Sequence, residues 1–593
     1  MKQQEALKRL AKCREEMARL NLDGLVIPTA DPHLCEYVPD AWKIREALSG
    51  FTGSAGTLLV TEEAAALLTD SRYWEQADEQ LAPGIELLKQ RDTAIEEISA
   101  WFEENLPEES VIGAPATLMS ARTFAKLTAA LDAIGQILRA DFVNMEAIWP
   151  ERPALPSSSV SEMKRPCRTR AEKFEAVRKA IDANGATVLV LNALDEIAWL
   201  TNLRGADVPC NPVFTASLIV TPQTALFFID EKRLAEGLVE KLAADKISVQ
   251  APEMFLPALK ALGQSGAVLL DPDNTNAAIV ASLPEEALIC APSPVLMQKS
   301  VKNAAEIEAI DEAMQRDAVA LAEFYAELDE RLAKGEHLSE SDAVKMLHAW
   351  RARDPEFLDE SFETIVAFGP NAALPHYAPP EEGGASLEGN GILLIDSGAQ
   401  YTCGTTDITR MTPVGTPSEE MKRDVGLVTR AMLRLLRLKF PAGTTGAGVD
   451  LAGRMDLWAE GLDFGHGTGH GVGYVLNVHE GPVSISPRAK PIAIEPGNVL
   501  SDEPGVYRPG AWGVRVENLM VCEHEGTTAF GDFLRFRALT MMPIDTRVLP
   551  DPFGELADEL NRFNALRVER LKPLVSERCR KWLEKAVCPV RAA

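Results

Sequence analysis

The sequence predicts a mixed α/β and α+β fold. Two α/β domains of similar pattern come first, followed by a larger domain in which helices lie outside a strongly curved antiparallel sheet. Three observations carry this reading. At 593 residues the chain is too long for a single core. Two proline-rich stretches divide it, Pro150-Glu-Arg-Pro-Ala-Leu-Pro-Ser-Ser-Ser and Ala291-Pro-Ser-Pro-Val-Leu. A weak internal repeat also links the first two parts, each of which alternates apolar strands with helical stretches.

In order along the chain, the start, Met-Lys-Gln-Gln-Glu-Ala-Leu-Lys-Arg-Leu, reads as a charged amphipathic helix. The first member of the repeat begins at Gly24-Leu-Val-Ile-Pro and passes through Ser-Gly-Phe-Thr-Gly and Thr-Leu-Leu-Val-Thr to Ala-Leu-Leu-Thr-Asp. The second begins at Thr187-Val-Leu-Val-Leu and passes through Thr-Asn-Leu-Arg-Gly and Ser-Leu-Ile-Val-Thr to Leu-Phe-Phe-Ile-Asp. Each reads as a mixed sheet with helices, and neither holds a cluster of metal-ligand residue types. They read as a duplicated scaffold, for dimerisation or for covering a cleft. The third part opens with a helix over 303–330, with Ile307, Ile310, Met314, Ala318 and Leu321 at helical spacing. Ser339 begins another helix with good capping chemistry. Strands dominate from Thr364 to Val414. A helix over 419–440, a glycine-histidine loop and further strands follow, and the tail over 551–583 is helical and charged.

Bulk properties exclude several classes of function. A net charge of −28 argues against nucleic acid or an anionic membrane as partner. No apolar run approaches ~18 residues, so no spanning helix is expected. The charged start lacks the apolar region of a signal peptide, which makes the cytoplasm the expected compartment. The nine cysteines include no Cys-x-x-Cys, so neither a disulfide framework nor a zinc knuckle is expected. Cys403 reads as a packing residue.

The chemistry concentrates in the last third. Asp396 ends the apolar run Gly-Ile-Leu-Leu-Ile-Asp, the composition of a buried strand. Asp407 lies in the β-branched stretch Thr-Thr-Asp-Ile-Thr-Arg, close enough to be the next strand of a hairpin. His470 lies in Gly-His-Gly-Thr-Gly-His-Gly-Val-Gly, where the glycines permit close backbone approach. Glu503 is in the turn Ser-Asp-Glu-Pro-Gly. Glu517 ends Gly-Val-Arg-Val-Glu, an alternating run that puts Arg515 and Glu517 on one face and Val514 and Val516 on the other. Taken singly, Asp396 or Asp407 reads as a turn former and Glu503 as a solvated turn residue. The glycine-histidine loop is neither a phosphate loop, since no Gly-Lys-Ser/Thr follows, nor a His-Glu-x-x-His helix, since Gly467 stands where the glutamate would be. Together, four carboxylates without a metal would repel or protonate, and two divalent cations remove that conflict. The oxygen-rich shell suits Mn or Co better than a thiolate-type zinc site.

These motifs, with Leu-Pro-His-Tyr at 374–377, Asn-Val-His-Glu-Gly-Pro at 477–482 and Ser-Gly-Phe-Thr-Gly-Ser-Ala-Gly-Thr at 49–57, resemble the pita-bread metallopeptidases. That group includes methionine aminopeptidase, prolidase, aminopeptidase P and creatinase. Within it the chain resembles the long, three-domain, cytosolic Xaa-Pro aminopeptidases. The resemblance implies two creatinase-like N-terminal α/β domains, 1–152 and 153–300, and a pita-bread catalytic domain with a helical tail, 301–593. It implies two divalent metals, Mn first with Co or Zn as alternatives. Asp407 and Glu517 would bridge them, Asp396 would complete one, and His470 with Glu503 the other, with a hydroxide between the ions as nucleophile. Glu503 would also receive the water proton. His376 and His479 would hydrogen-bond the substrate and stabilise the tetrahedral intermediate, and His466 would line the pocket for the proline ring. Arg515 would be a charge partner or a substrate contact, and Arg45 would reach the substrate. The implied substrates are peptides with proline second, and the implied assembly is a homodimer. The competing readings are a prolidase-type dipeptidase or methionine aminopeptidase of the same fold, and a peptidase-like binding module that has lost its metals.

Overall fold

A computed structural model describes residues 2–91 and 93–592. Met1 and Ala593, the outer ends of the expected first and third domains, lie outside the described residues. The chain forms two compact units, 1–297 and 298–593.

The first unit holds two six-stranded mixed sheets. In one, Gly24–Pro28 pairs antiparallel with Thr57–Thr61 and parallel with Val111–Gly113. The outer positions are taken by Ala65–Thr69, Glu86–Lys89 and Ile137–Arg139. In the other, Val188–Leu191 pairs antiparallel with Ser217–Val220 and parallel with Val268–Leu270. Ala225–Phe228, Ile247–Gln250 and Leu288–Cys290 complete it in the same spatial order. The sequence repeat is therefore a repeat of topology. Leu25, Val26 and Ile27 are all fully buried, as expected where helices cover both faces of a sheet and no polar alternation is needed.

The second unit opens with the helix Ala304–Ala333. Asn303 caps it in a reciprocal box with Glu306, which satisfies two of the otherwise orphan N–H groups. Ser339 and Asp342 form the same device for Glu340–Arg351. Strand Gly391–Ser397, buried along its whole length, lies between Ile365–Phe368 and Ile408–Val414, antiparallel to both. A second, six-stranded sheet of this unit includes Gly469–Gly471, Val499–Asp502 and Asn518–Thr528. The tail forms two helices, Ala557–Leu571 and Glu577–Ala586.

Several local expectations need correction. The strands expected from Thr364 to Val414 are interrupted between Phe368 and Gly391 by the short 3-10 turn Gly369–Ala373 and irregular chain. Asp396 and Asp407 do lie on paired strands, but a small hairpin, Ala399–Tyr401 with Gly404–Thr405, is inserted between them. The helix expected over 419–440 ends at Leu436, and Phe440 sits in the strand Lys439–Pro441. Helix Gly446–Ala459 was not expected at all, because glycines 446, 448 and 453 lower helix propensity. Its packing explains two of them. A Cβ on Gly446 would meet the Ser484 carbonyl at 1.7 Å, and one on Gly453 would meet the Thr468 methyl at 2.5 Å.

Candidate metal centre

The site is assembled where strand ends of the second unit meet. Asp396 is the penultimate residue of Gly391–Ser397 and pairs with Thr409 of the neighbouring strand. Asp407 lies just before that strand begins. Glu517 falls in the break between strands Trp512–Arg515 and Asn518–Thr528. Thr409 fixes it twice: the Glu517 N–H donates to the Thr409 carbonyl at 3.1 Å, and the threonine hydroxyl donates to Glu517 Oε2 at 2.8 Å.

His470 is held from the opposite side. Its strand, Gly469–Gly471, is squeezed between neighbours, where a Cβ at 469 would meet the Ser501 carbonyl at 2.1 Å and one at 471 the Glu480 carbonyl at 2.2 Å. The His470 N–H donates to Ser501 Oγ at 2.9 Å, and that hydroxyl donates to Glu503 Oε1 at 3.3 Å. His470 Nδ1 lies 2.9 Å from the Gly471 carbonyl and so carries the proton, leaving Nε2 as the ligating nitrogen. Nε2 lies 3.4 Å from Asp407 Oδ2 and 3.5 Å from Glu503 Oε1.

One ligand atom from each of Asp407, His470 and Glu517 falls within 4.8 Å of the others. Asp396 and Glu503 belong to the same electrostatic neighbourhood, since their charges, with that of Asp407, act on Glu517. Burial and those charges push the Glu517 carboxyl well above the usual carboxylate range. Burial pushes Asp396 up to about 6; Arg515 opposes the rise and Asp407 adds to it. Burial disfavours a charged His470, but its contact with Asp407 and the charge of Glu503 win, raising it to about 9. Asp396 Oδ1 is buried without a hydrogen-bond partner among the described residues. An unpartnered carboxylate oxygen, clustered acids and one imidazole presenting Nε2 form a donor set that fits hard to borderline divalent cations.

Arg515 is the nearby fixed cation. Its Nη2 donates to Asp396 Oδ2 at 2.5 Å, its Nε to Thr409 Oγ1 at 3.2 Å, and its Nη1 to the Tyr507 hydroxyl at 2.6 Å. All three nitrogens are occupied, which is the geometry of a charge partner. Tyr507 OH lies 2.8 Å from His466 Nε2, while His466 Nδ1 faces the Gly467 carbonyl at 2.7 Å. Nδ1 therefore donates and Nε2 accepts from the phenol. Burial lowers His466 to about 4 despite the charge of Glu503, so its ring is neutral at pH 7. That ring packs against Phe464 at 4.8 Å and Tyr507 at 5.5 Å between centroids.

The His479 ring meets that of His470 edge to face at 4.3 Å. The next residue, Glu480, is buried between the ammonium groups of Lys299, at 2.8 Å, and Lys302. His376 is half-buried in the segment that follows the turn Gly369–Ala373. Arg45 belongs to the first unit. It is buried, and its guanidinium donates to Thr29 Oγ1 at 2.8 Å, to the Phe51 carbonyl at 2.6 Å and to the Gly53 carbonyl. Cys403 is buried with Ala313, Ala399 and Tyr401, as a packing residue should be.

Sequence reasoning missed Thr409, Ser501 and Tyr507. Tyr507 had a signal in the hairpin register, where Gly505 pairs with Arg515 and Tyr507 with Gly513. Period-two alternation puts Tyr507 on the face of Arg515, but only once that register is known.

Residues 308–524 match metallopeptidase family M24, and residues 9–147 and 151–306 each match a creatinase/prolidase N-terminal domain. A probable Xaa-Pro aminopeptidase P of Pyrenophora teres f. teres is 38% identical over 556 residues, 90% of this chain and 85% of that protein. Its counterpart in Tuber melanosporum is 36% identical over 616 residues, 98% of this chain and 99% of that one. Among solved structures, X-prolyl aminopeptidase from Caenorhabditis elegans, described as a cytosolic enzyme with a di-nuclear active site, superposes with a TM-score of 0.93. It shares 31% identity and covers 99% of this chain and 100% of its own. An Xaa-Pro dipeptidase from Bacillus anthracis gives a TM-score of 0.50 at 26% identity, covering 64% of this chain and 99% of its own. By its motifs, its strand topology and its length-wide similarity to these relatives, the chain belongs to the Xaa-Pro aminopeptidase P family of M24 metallopeptidases.

Proposed function

We propose that this protein is a metal-dependent aminopeptidase that removes an N-terminal residue when proline follows it. The observation that carries the reading is the convergence of Asp407, His470 and Glu517, with ligand atoms within 4.8 Å of one another, beside Asp396 and Glu503. These five residues would hold two divalent cations, Mn first and Co or Zn as alternatives. Bound there, the cations supply an electrophile for the scissile carbonyl and lower the pKa of a water that serves as nucleophile.

The chain's own groups do the rest. Glu503, held by Ser501, accepts the proton that the attacking water loses. His376 and His479 donate to the charge that develops on the carbonyl oxygen. Neutral His466, with Phe464 and Tyr507, offers the proline ring an apolar wall worth ~1–3 kcal/mol. Arg515 keeps Asp396 ionised and oriented. Arg45 enters as the residue that stiffens the 51–53 backbone.

Within M24 the aminopeptidase reading is favoured over a dipeptidase, because similarity to the dipeptidase of B. anthracis stops at 64% of this chain. We assign the reaction to the cytoplasm by similarity to the C. elegans enzyme, which is described as cytosolic; among the described residues no helix is long and apolar enough to cross a membrane. We also read the protein as a homodimer. Leu451, Met455 and Trp458 form an apolar stripe on helix Gly446–Ala459, each about half exposed. Arg-Pro-Pro, Arg-Pro and Arg-Ala-Pro, offered to Mn-loaded protein, test the specificity. Rapid release of arginine from Arg-Pro-Pro and almost none from Arg-Ala-Pro is expected. Efficient cleavage of Arg-Ala-Pro, or activity confined to Arg-Pro, would overturn it.

A further inference from the structure

Glu340, the first residue of helix Glu340–Arg351, is fully buried, and among the described residues no ion pair to it is seen. Its carboxylate is satisfied by neutral donors that all come from one stretch of chain. Oε1 accepts the Phe368 N–H at 2.8 Å and Asn371 Nδ2 at 3.1 Å. Oε2 accepts the Tyr377 hydroxyl at 2.8 Å, the Ala385 N–H at 2.8 Å and Asn371 Nδ2 at 3.0 Å. These donors span the irregular segment between strands Ile365–Phe368 and Gly391–Ser397, the segment that carries His376. The Asn371 amide also donates to the Tyr377 hydroxyl at 3.0 Å, closing the network around the residue next to His376. The start of the segment is tucked against the strand of Arg515, where a Cβ on Gly513 would lie 1.7 Å from the Ala372 carbonyl.

We propose that Glu340 is a positioning residue for the reaction, holding the 368–385 segment so that His376 presents its ring to the substrate. This rests on the reading of His376 as a donor to the reacting carbonyl. An irregular segment has no ladder of its own to fix it, so its shape depends on such side-chain anchors. A buried carboxylate with this many donors sets one geometry, because any shift leaves a desolvated oxygen unpaired. Its place at the first turn of a helix adds a favourable field for the negative charge. Glu340→Gln keeps the shape but turns one acceptor into a donor, facing either Phe368 N–H or the Tyr377 and Ala385 donors.

The test compares Glu340→Gln, His376→Ala, the double variant and Tyr377→Phe, all Mn-loaded and assayed on Arg-Pro-Pro, with metal content measured in parallel. The expected result is a kcat ~10–100-fold lower in Glu340→Gln, with KM little changed and metal content intact. Adding Glu340→Gln to His376→Ala should lower kcat no further, and Tyr377→Phe should give a smaller loss of the same kind. A normal kcat in Glu340→Gln, a loss that multiplies with that of His376→Ala, or a loss that tracks missing metal would overturn the proposal. A wild-type kcat in His376→Ala would overturn the role of His376 itself, which the double variant distinguishes from failure at Glu340 alone. If Glu340→Gln does not yield folded protein, Tyr377→Phe in the two His376 backgrounds decides by the same non-additivity.

Discussion

Asp407 and Glu517 occupy the crowded middle of the centre, each under the charge of the other and of Asp396 or Glu503. Neutralising either removes an oxygen donor from the set that would hold the cations. Asp407→Asn and Glu517→Gln should each abolish turnover and drop bound Mn well below the wild-type content, with helical content unchanged by circular dichroism. Retention of full metal and activity would show that these acids are not ligands. The four acids and one imidazole could be picked out because each sits in a short motif whose meaning is local, and the same kind of motif singles out His376, His466 and His479 as candidates. Thr409 and Tyr507 were not. Their importance arises from where the paired strand puts them, Thr409 beside Asp396 and Tyr507 beneath Arg515, and a register between distant segments leaves no mark on either segment alone.

Elements bring these residues together, and one buried ion pair joins two of them. Arg351, fully buried, donates to Asp317 Oδ1 at 2.9 Å, to Glu360 Oε2 at 2.6 Å and to Ser397 Oγ at 3.0 Å. Asp317 in turn accepts from Thr406 Oγ1 at 3.0 Å. The network thus ties the residue after Asp396 to the residue before Asp407, and anchors both to the long helix Ala304–Ala333. Arg351→Met would leave Asp317 without its buried cation, at a cost of about 3–5 kcal/mol. Chemical denaturation should show that loss, while an unchanged midpoint would mean the pair contributes nothing net. Element types were read well where capping and periodicity agreed, as at Asn303 and Ser339. Helix Gly446–Ala459 was missed because its glycines serve tertiary contact with Ser484 and Thr468 rather than local propensity.

At the scale of the whole molecule, the duplicated strand order of the first unit follows the internal repeat, so its mixed-sheet class was visible in the sequence. The apolar stripe of Leu451, Met455 and Trp458 was not, since it lies on the helix that glycines disguised. If that face joins two copies, Met455→Glu should convert a dimer to a monomer in analytical ultracentrifugation, whereas an unchanged sedimentation coefficient would place the interface elsewhere. The central claim is that turnover requires two cations in the centre built by Asp396, Asp407, His470, Glu503 and Glu517. It is tested most directly by titrating metal-stripped protein with Mn while following arginine release from Arg-Pro-Pro. Activity should be absent without metal and saturate at two equivalents per chain. Saturation at one equivalent, or turnover by the stripped protein, would contradict it.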